Sequence, residues 1–213
     1  MSSLEYKTAA KLLEISAVKV QPDKPFTWAS GWQSPIYCDN RVALSYPEIR
    51  SFVRDSLSEL AETCFPEFDV IAGVATGAIA QGVLVADNMN KPFVYVRSAP
   101  KDHGMANLIE GRLEPGARVL VVEDLISTGG SSLKAVEALQ RAGAVVVGMI
   151  ASFSYGFSIA NDSFVKAGVK LCTLTNYEFI LKVALESGYI EERSLETLRE
   201  WRNNPSQWRK SDD

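Results

Sequence analysis

The chain has 213 residues, 46% of them hydrophobic, enough to bury the core of one α/β-sized domain spanning residues 1–213. Its 22 Lys and Arg against 26 Asp and Glu leave a net charge of −4, which argues against the basic face that general nucleic-acid binding needs. No apolar run reaches the length of a membrane span, and the start, Met1-Ser-Ser-Leu-Glu-Tyr-Lys7, lacks the basic-then-apolar order of a secretion signal.

In chain order, Leu4, Ala9, Leu12, Leu13 and Ile15 carry helical spacing over 4–17. Pro22, Pro25, Gly31 and Pro35 favour short strands and turns over 18–44. A helix is expected from Pro47, with Ser45 or Tyr46 near its cap, ending before Pro66. Val70–Val74 predicts the first core strand, followed by a helix over about 78–89 and a strand at Phe93–Arg97. Residues 98–116 form a long polar stretch without a periodic pattern. A strand at 118–123 and a helix at 131–142 follow, with Gly143 at the helix C-terminal cap. Ala144–Phe153 predicts a buried strand, 157–167 a short helix and Val169–Leu174 another strand, and helices over about 176–187 and 191–202 close the chain. Strands alternating with helices predict an α/β fold with a mainly parallel central sheet and helices on both faces. Ligands then belong at the C-terminal ends of the strands.

The segment Val119-Leu-Val-Val-Glu-Asp-Leu-Ile-Ser-Thr-Gly-Gly-Ser-Ser132 joins a buried strand to a helix start through small residues. Such a junction offers backbone N–H groups and a positive helix end to an anion. A capped turn uses the same residues, with Ser127 or Thr128 as cap and the glycines in the bend. Two carboxylates, Glu123 and Asp124, do not suit a phosphate alone, because like charges repel. They suit a ligand that also carries hydroxyls, as a phosphorylated ribose does. Neither a Gly-x-x-x-x-Gly-Lys nor a Gly-x-Gly-x-x-Gly motif is present. The three cysteines, Cys38, Cys64 and Cys172, are widely spaced and odd in number, so neither a zinc site nor a disulfide framework is expected, and a reducing cytoplasm is.

The 119–132 segment resembles the ribose-phosphate signature of type I phosphoribosyltransferases. Val96-Arg-Ser-Ala-Pro-Lys-Asp-His-Gly104, which holds the one histidine, resembles the mobile-loop signature of the orotate phosphoribosyltransferases. Pro25-Phe-Thr-Trp-Ala-Ser-Gly-Trp-Gln-Ser-Pro-Ile-Tyr-Cys-Asp-Asn-Arg41 resembles their N-terminal base-pocket segment, with Phe26, Trp28 and Tyr37 as an aromatic wall. The resemblance implies the type I fold with a small hood, formed mainly by about 1–45 with C-terminal elements. It implies transfer of ribose 5-phosphate from 5-phosphoribosyl 1-diphosphate to orotate, in UMP biosynthesis.

The same resemblance assigns roles by position. Glu123 and Asp124 meet the ribose hydroxyls, and Leu125, Ile126, Ser127, Thr128, Gly129, Gly130 and Ser131 form the sugar-phosphate loop. Dipole attraction supplies about 0.3–1 kcal/mol, so direct charged hydrogen bonds of about 1.5–3 kcal/mol each must do most of the holding. Tyr37, Cys38 and Ser127 lie at the base; Arg97, Lys101 and His103 meet the diphosphate; Lys101, His103 and Asp124 are the catalytic set. Mg²⁺ is implied, held mainly by substrate oxygens and water, as is a homodimer whose lid acts on the partner's site. Gly73-Val-Ala-Thr-Gly-Ala78 resembles the pyrophosphate loop, with a non-proline cis peptide at Ala75–Thr76. Three positions, Ala29, Ser98 and Tyr155, stand where many members carry Lys, Lys and Arg, and Thr76-Gly-Ala-Ile-Ala80 replaces the usual Thr-Ala-Gly-Ile-Pro. One branch of the family also lacks these basic residues. The rival readings are a purine phosphoribosyltransferase, a 5-phosphoribosyl 1-diphosphate sensor of the same fold, and a diphosphokinase-like relative.

Overall fold

A computed structural model describes residues 3–28, 30–99 and 108–209. The chain opens with α1 (Leu4–Glu14), capped by the Ser3 hydroxyl and burying Thr8, Ala9, Leu12 and Leu13 on one face. It ends three residues earlier than the apolar spacing suggests, because Ser16 turns through φ 57° and the next strand begins at Val18. Short strands follow: β1 (Val18–Val20), β2 (Phe26–Thr27), β3 (Gln33–Ser34) and β4 (Ile36–Cys38), paired antiparallel as β1–β4 and β2–β3. A 3-10 helix at Asn40–Ser45, not anticipated from the sequence, leads into α2 (Pro47–Cys64). Pro47 occupies the first turn of α2, where its missing N–H costs nothing.

The central sheet is built from β5 (Val70–Val74), β6 (Phe93–Val96), β7 (Ile109–Glu110), β8 (Arg118–Ile126), β9 (Val145–Ser154) and β10 (Leu171–Asn176). Among the described residues its order is β10-β9-β8-β5-β6-β7. All neighbours run parallel except β7, which pairs antiparallel with β6 through Tyr95↔Glu110 and Val96↔Ile109. Part of the stretch read as an unbroken loop is therefore an edge strand. Two residues are too few to show a period of two, so the sequence pattern carried no sign of it.

The helices α3 (Gly77–Asn88), α4 (Gly130–Arg141), α5 (Ser158–Lys166), α6 (Tyr177–Glu186) and α7 (Ser194–Asn203) complete the fold. Alternate strand residues face opposite layers. Ile71, Leu120, Val122 and Ile150 pack with α1, α2, α3 and α6, whereas Ala72, Val119, Val121 and Met149 pack with α4 and α5. Helices thus cover both faces, as expected. Gly143, at φ 87°, follows the last turn of α4 and donates to the Gln140 carbonyl, while Ala144 N–H reaches Leu139. No helix among the described residues is long and apolar enough to cross a membrane.

The small strands and α7 meet over the C-terminal ends of β8 and β9 through an aromatic cluster. Trp201 is fully buried there, with Trp28, Tyr155, Phe157 and Tyr177 at centroid distances of 5.4–5.9 Å. Its indole N–H donates to the Gln33 carbonyl at 3.0 Å, tying α7 to β3. Trp201→Ala removes this packing and leaves that carbonyl without its donor. It is expected to lower unfolding free energy by about 3–5 kcal/mol, read from the denaturant midpoint.

Candidate active site

The site begins where β8 outruns its neighbour. β5 pairs with Val119–Val122 and stops, while β9 continues to pair as far as Ile126. The strand therefore ends three residues beyond the expected 118–123, and Asp124 to Ile126 lie within it rather than in a loop. After Ser127 and Thr128, Gly129 takes φ 81° and serves as the N-cap of α4; neither hydroxyl caps the helix. A Cβ at Gly129 would stand 2.9 Å from Phe164, so the bend needs glycine on two counts. Gly130 and Ser131 are exposed at the first turn, and their amides belong to the unpaired set of a helix start.

The two acids differ sharply. Glu123 is 5% exposed, and its carboxylate accepts from the Asp124 amide at 3.0 Å and from the Ser132 hydroxyl at 2.9 Å. Burial, then the neighbouring Asp124 charge, push its carboxyl well above the usual carboxylate range; the Asp124 amide and Ser132 oppose this. Asp124 is half-buried; its carboxylate accepts from the Leu125 amide at 2.7 Å and lies against the start of α3. A Cβ on Gly77 would sit 2.1 Å from its Oδ2. The Ala75–Thr76 peptide before that helix is cis, as the resemblance implied.

A cavity of about 680 Å³ opens beside this junction. Tyr37, Cys38, Leu125, Ser127 and Thr128, all expected site residues, line it with Trp28, Trp32 and Tyr155. Phe26, expected in the same wall, is not among the lining residues and packs on Tyr37 at 5.6 Å. Ile126 is a correction: its side chain is fully buried in the core beneath α4, leaving only its main chain near the cavity, where its carbonyl accepts from Tyr155 N–H. Tyr155 is 3% exposed and stacked on Phe157, and burial keeps its phenol protonated by pushing its pKa well up.

Arg97 directly follows β6, with one guanidinium nitrogen 3.5 Å from Glu110 and, among the described residues, buried without a hydrogen-bond partner. Lys101 and His103 lie outside the described residues, as does Ala29. Two residues escaped the sequence reading. Ser132 holds Glu123, and Asn40, fully buried, donates to the Asp124 carbonyl at 2.7 Å. Ser132 closed the 119–132 motif but stood one position beyond the residues assigned to its loop. Asn40 lies 84 residues from its partner, so local pattern had no means to reveal it.

A phosphoribosyl transferase domain matches residues 45–187, more than half of the chain. The chain is 62% identical to an orotate phosphoribosyltransferase of Bacteroides fragilis over 208 residues, covering 98% of each. The chain belongs to the orotate phosphoribosyltransferase family. Its fold is similar to that of the orotate phosphoribosyltransferase of Aeropyrum pernix, with a TM-score of 0.74 and 28% identity over 86% of this chain and 99% of that one. It is also similar to the UMP synthase of Leishmania donovani, with a TM-score of 0.78 and 27% identity over 93% of this chain and 42% of that longer one.

For this orotate phosphoribosyltransferase family member the buried Glu123 has a stability consequence. Unfolded Glu titrates near ~4.3, and the native carboxyl higher, so between those values the native state holds more protons and stability falls as pH rises. The penalty is complete above the native value and absent below the unfolded one. Ligand-free Glu123→Gln is expected to melt about 2–4 °C above the parent at pH 8, with the gain shrinking toward pH 4. A constant offset across that range in parallel thermal melts would contradict this origin.

Proposed function

We infer that the chain transfers the 5-phosphoribosyl group of 5-phosphoribosyl 1-diphosphate to orotate, giving orotidine 5-monophosphate and diphosphate in UMP biosynthesis. One observation carries this reading. An aromatic cavity opens onto Leu125, Ser127 and Thr128, the residues that follow Asp124 in the chain, and the chain is 62% identical to an orotate phosphoribosyltransferase along nearly its whole length.

In this mechanism the exposed start of α4, with the amides of Thr128 to Ser131 and the hydroxyls of Thr128 and Ser131, binds the 5-phosphate. Asp124 orients the ribose hydroxyls, and Glu123 joins it by exchanging its hold on Ser132 for the sugar. The ring nitrogen of orotate forms its bond to the anomeric carbon as the bond to diphosphate oxygen breaks, the electron pair leaving with diphosphate. That nitrogen is acidic enough to react as its anion, so no strong protein base is needed. The sugar gains oxocarbenium character in the transition state, and Asp124 places negative charge beside it. Arg97, Lys101 and His103 answer the negative charge on the departing diphosphate. The base lies among Trp28, Trp32, Tyr37 and Tyr155, which exclude water from the reacting carbon.

Mg²⁺ fits this donor set in one way. Among the described residues no group of three or more His, Cys, Asp or Glu could hold a metal ion by itself. Asp124 is the available hard oxygen donor, and the rest of the shell would come from sugar-diphosphate oxygens and water. Bound there, the ion would neutralise part of the charge on the leaving group.

The proposal extends to a homodimer in which Lys101 and His103 close over the partner's site, and to the cytoplasm, where the three free thiols are chemically at home. Turnover with 5-phosphoribosyl 1-diphosphate and Mg²⁺ is expected with orotate and not with uracil, adenine or hypoxanthine. Product formation only with a purine would overturn the assignment. Lys101→Ala and Asp124→Ala are each expected to be nearly inactive and to regain activity when mixed under conditions that exchange subunits. Persistent inactivity after exchange, demonstrated by native mass spectrometry, would place the lid in cis.

A further inference from the structure

The main chain of Asp124 is held from a direction that its own strand does not supply. β5 pairs with β8 only as far as Val122, so the Asp124 carbonyl lies past the last residue that β5 reaches. Asn40 stands in for the missing strand: its side-chain amide donates to that carbonyl at 2.7 Å and is fully buried. The other end of the same amide accepts from the Cys38 thiol at 3.4 Å. Cys38 lines the aromatic cavity. The turn that aims Asn40 inward is fixed on its outer side, where Asp39 caps the Arg41 amide at 3.2 Å and grips the Arg41 guanidinium at 2.7 and 2.9 Å. A continuous buried path therefore runs from the wall of the base cavity, through one side chain, to the backbone that carries the sugar acid.

We propose that Asn40 is a positioning residue for the transfer reaction, coupling the seat of the base at Cys38 to the placement of Asp124. The inference rests on the functional reading above, in which Asp124 faces the developing positive charge. Asn40 itself touches no reacting atom. Its effect falls on the transition state, because the carboxylate of Asp124 has only a narrow berth between the Leu125 amide and Gly77. A shift of its main chain moves the charge away from the place where it is needed. Removing Asn40 also leaves a carbonyl without its donor, so the strand end gains freedom that the cavity wall no longer opposes.

The test is a double-mutant cycle on the full chain. Asn40→Leu keeps the branched side-chain skeleton and removes both hydrogen bonds, and Asn40→Ser, which is smaller and cannot reach both partners, takes its place if the first does not fold. Each is combined with Asp124→Asn, and kcat, KM for both substrates and melting temperature are measured. The folded single variant is expected to lose about ten- to a hundredfold in kcat, with each KM changed less than about threefold. The double variant is expected to be no slower than Asp124→Asn alone, since Asn40 then has nothing left to position. Losses that multiply, a kcat within twofold of the parent, or a loss confined to KM would overturn the proposal. Full activity in Asp124→Asn, or no orotate turnover by the parent, would instead bring down the functional reading on which it stands.

Discussion

The contact between Asp124 and the start of α3 constrains the whole site. The carboxylate occupies the space a side chain at position 77 would need, 2.1 Å from where its Cβ would be. That approach is open only to glycine, and it brings two separate strand-to-helix junctions, after β5 and after β8, against one another. Each helix begins with unpaired N-terminal amides, beside which an anion is favoured and a lone acid would otherwise be isolated. A sugar carrying phosphate groups and hydroxyls satisfies both demands, with phosphate at the amides and hydroxyls at the acid.

The second organising contact is the aromatic cluster around Trp201. It draws the small N-terminal strands and the last helix together over the sheet, although they lie at opposite ends of the chain. Tyr155 belongs to both the cluster and the cavity wall. Packing of the cap and shape of the base site are therefore the same set of contacts. An apolar, ring-lined cavity with few convergent polar groups suits a flat heterocycle. At Tyr155 the wall presents a buried aromatic ring, so it offers stacking rather than charge there.

Much of the fold was legible because its signals are local. The apolar run Val119–Val122 and the small residues after it marked both strand and turn, and Gly143 stopped α4 where expected. The elements that slipped were those set by neighbours. β8 extends past its apolar run because β9 continues to pair with it, and β7 exists because β6 presents an open edge. The site divides the same way. Tyr37, Cys38, Ser127 and Thr128 sit in recognisable motifs and meet at one cavity. Ile126 sits in the same motif yet faces the core, since alternation along a strand sends it to the opposite side from Leu125. Even the cysteines follow this rule: Cys64 and Cys172, 108 positions apart by number, are neighbours whose hydrogen bond, after burial, helps raise the Cys172 thiol to about 12.

The sequence by itself determined the alternation of strands and helices, the acid pair, and the glycine-rich bend, because each depends on residues within a few positions of one another. Tertiary structure alone decided which acid is buried, which aromatic rings meet, and that Asn40 reaches Asp124 across 84 residues. The physical reason is range. Backbone preference and hydrophobic period act along a few turns of chain, whereas burial, close approach to a glycine and a hydrogen bond at the end of a strand depend on which distant segments the sheet brings side by side.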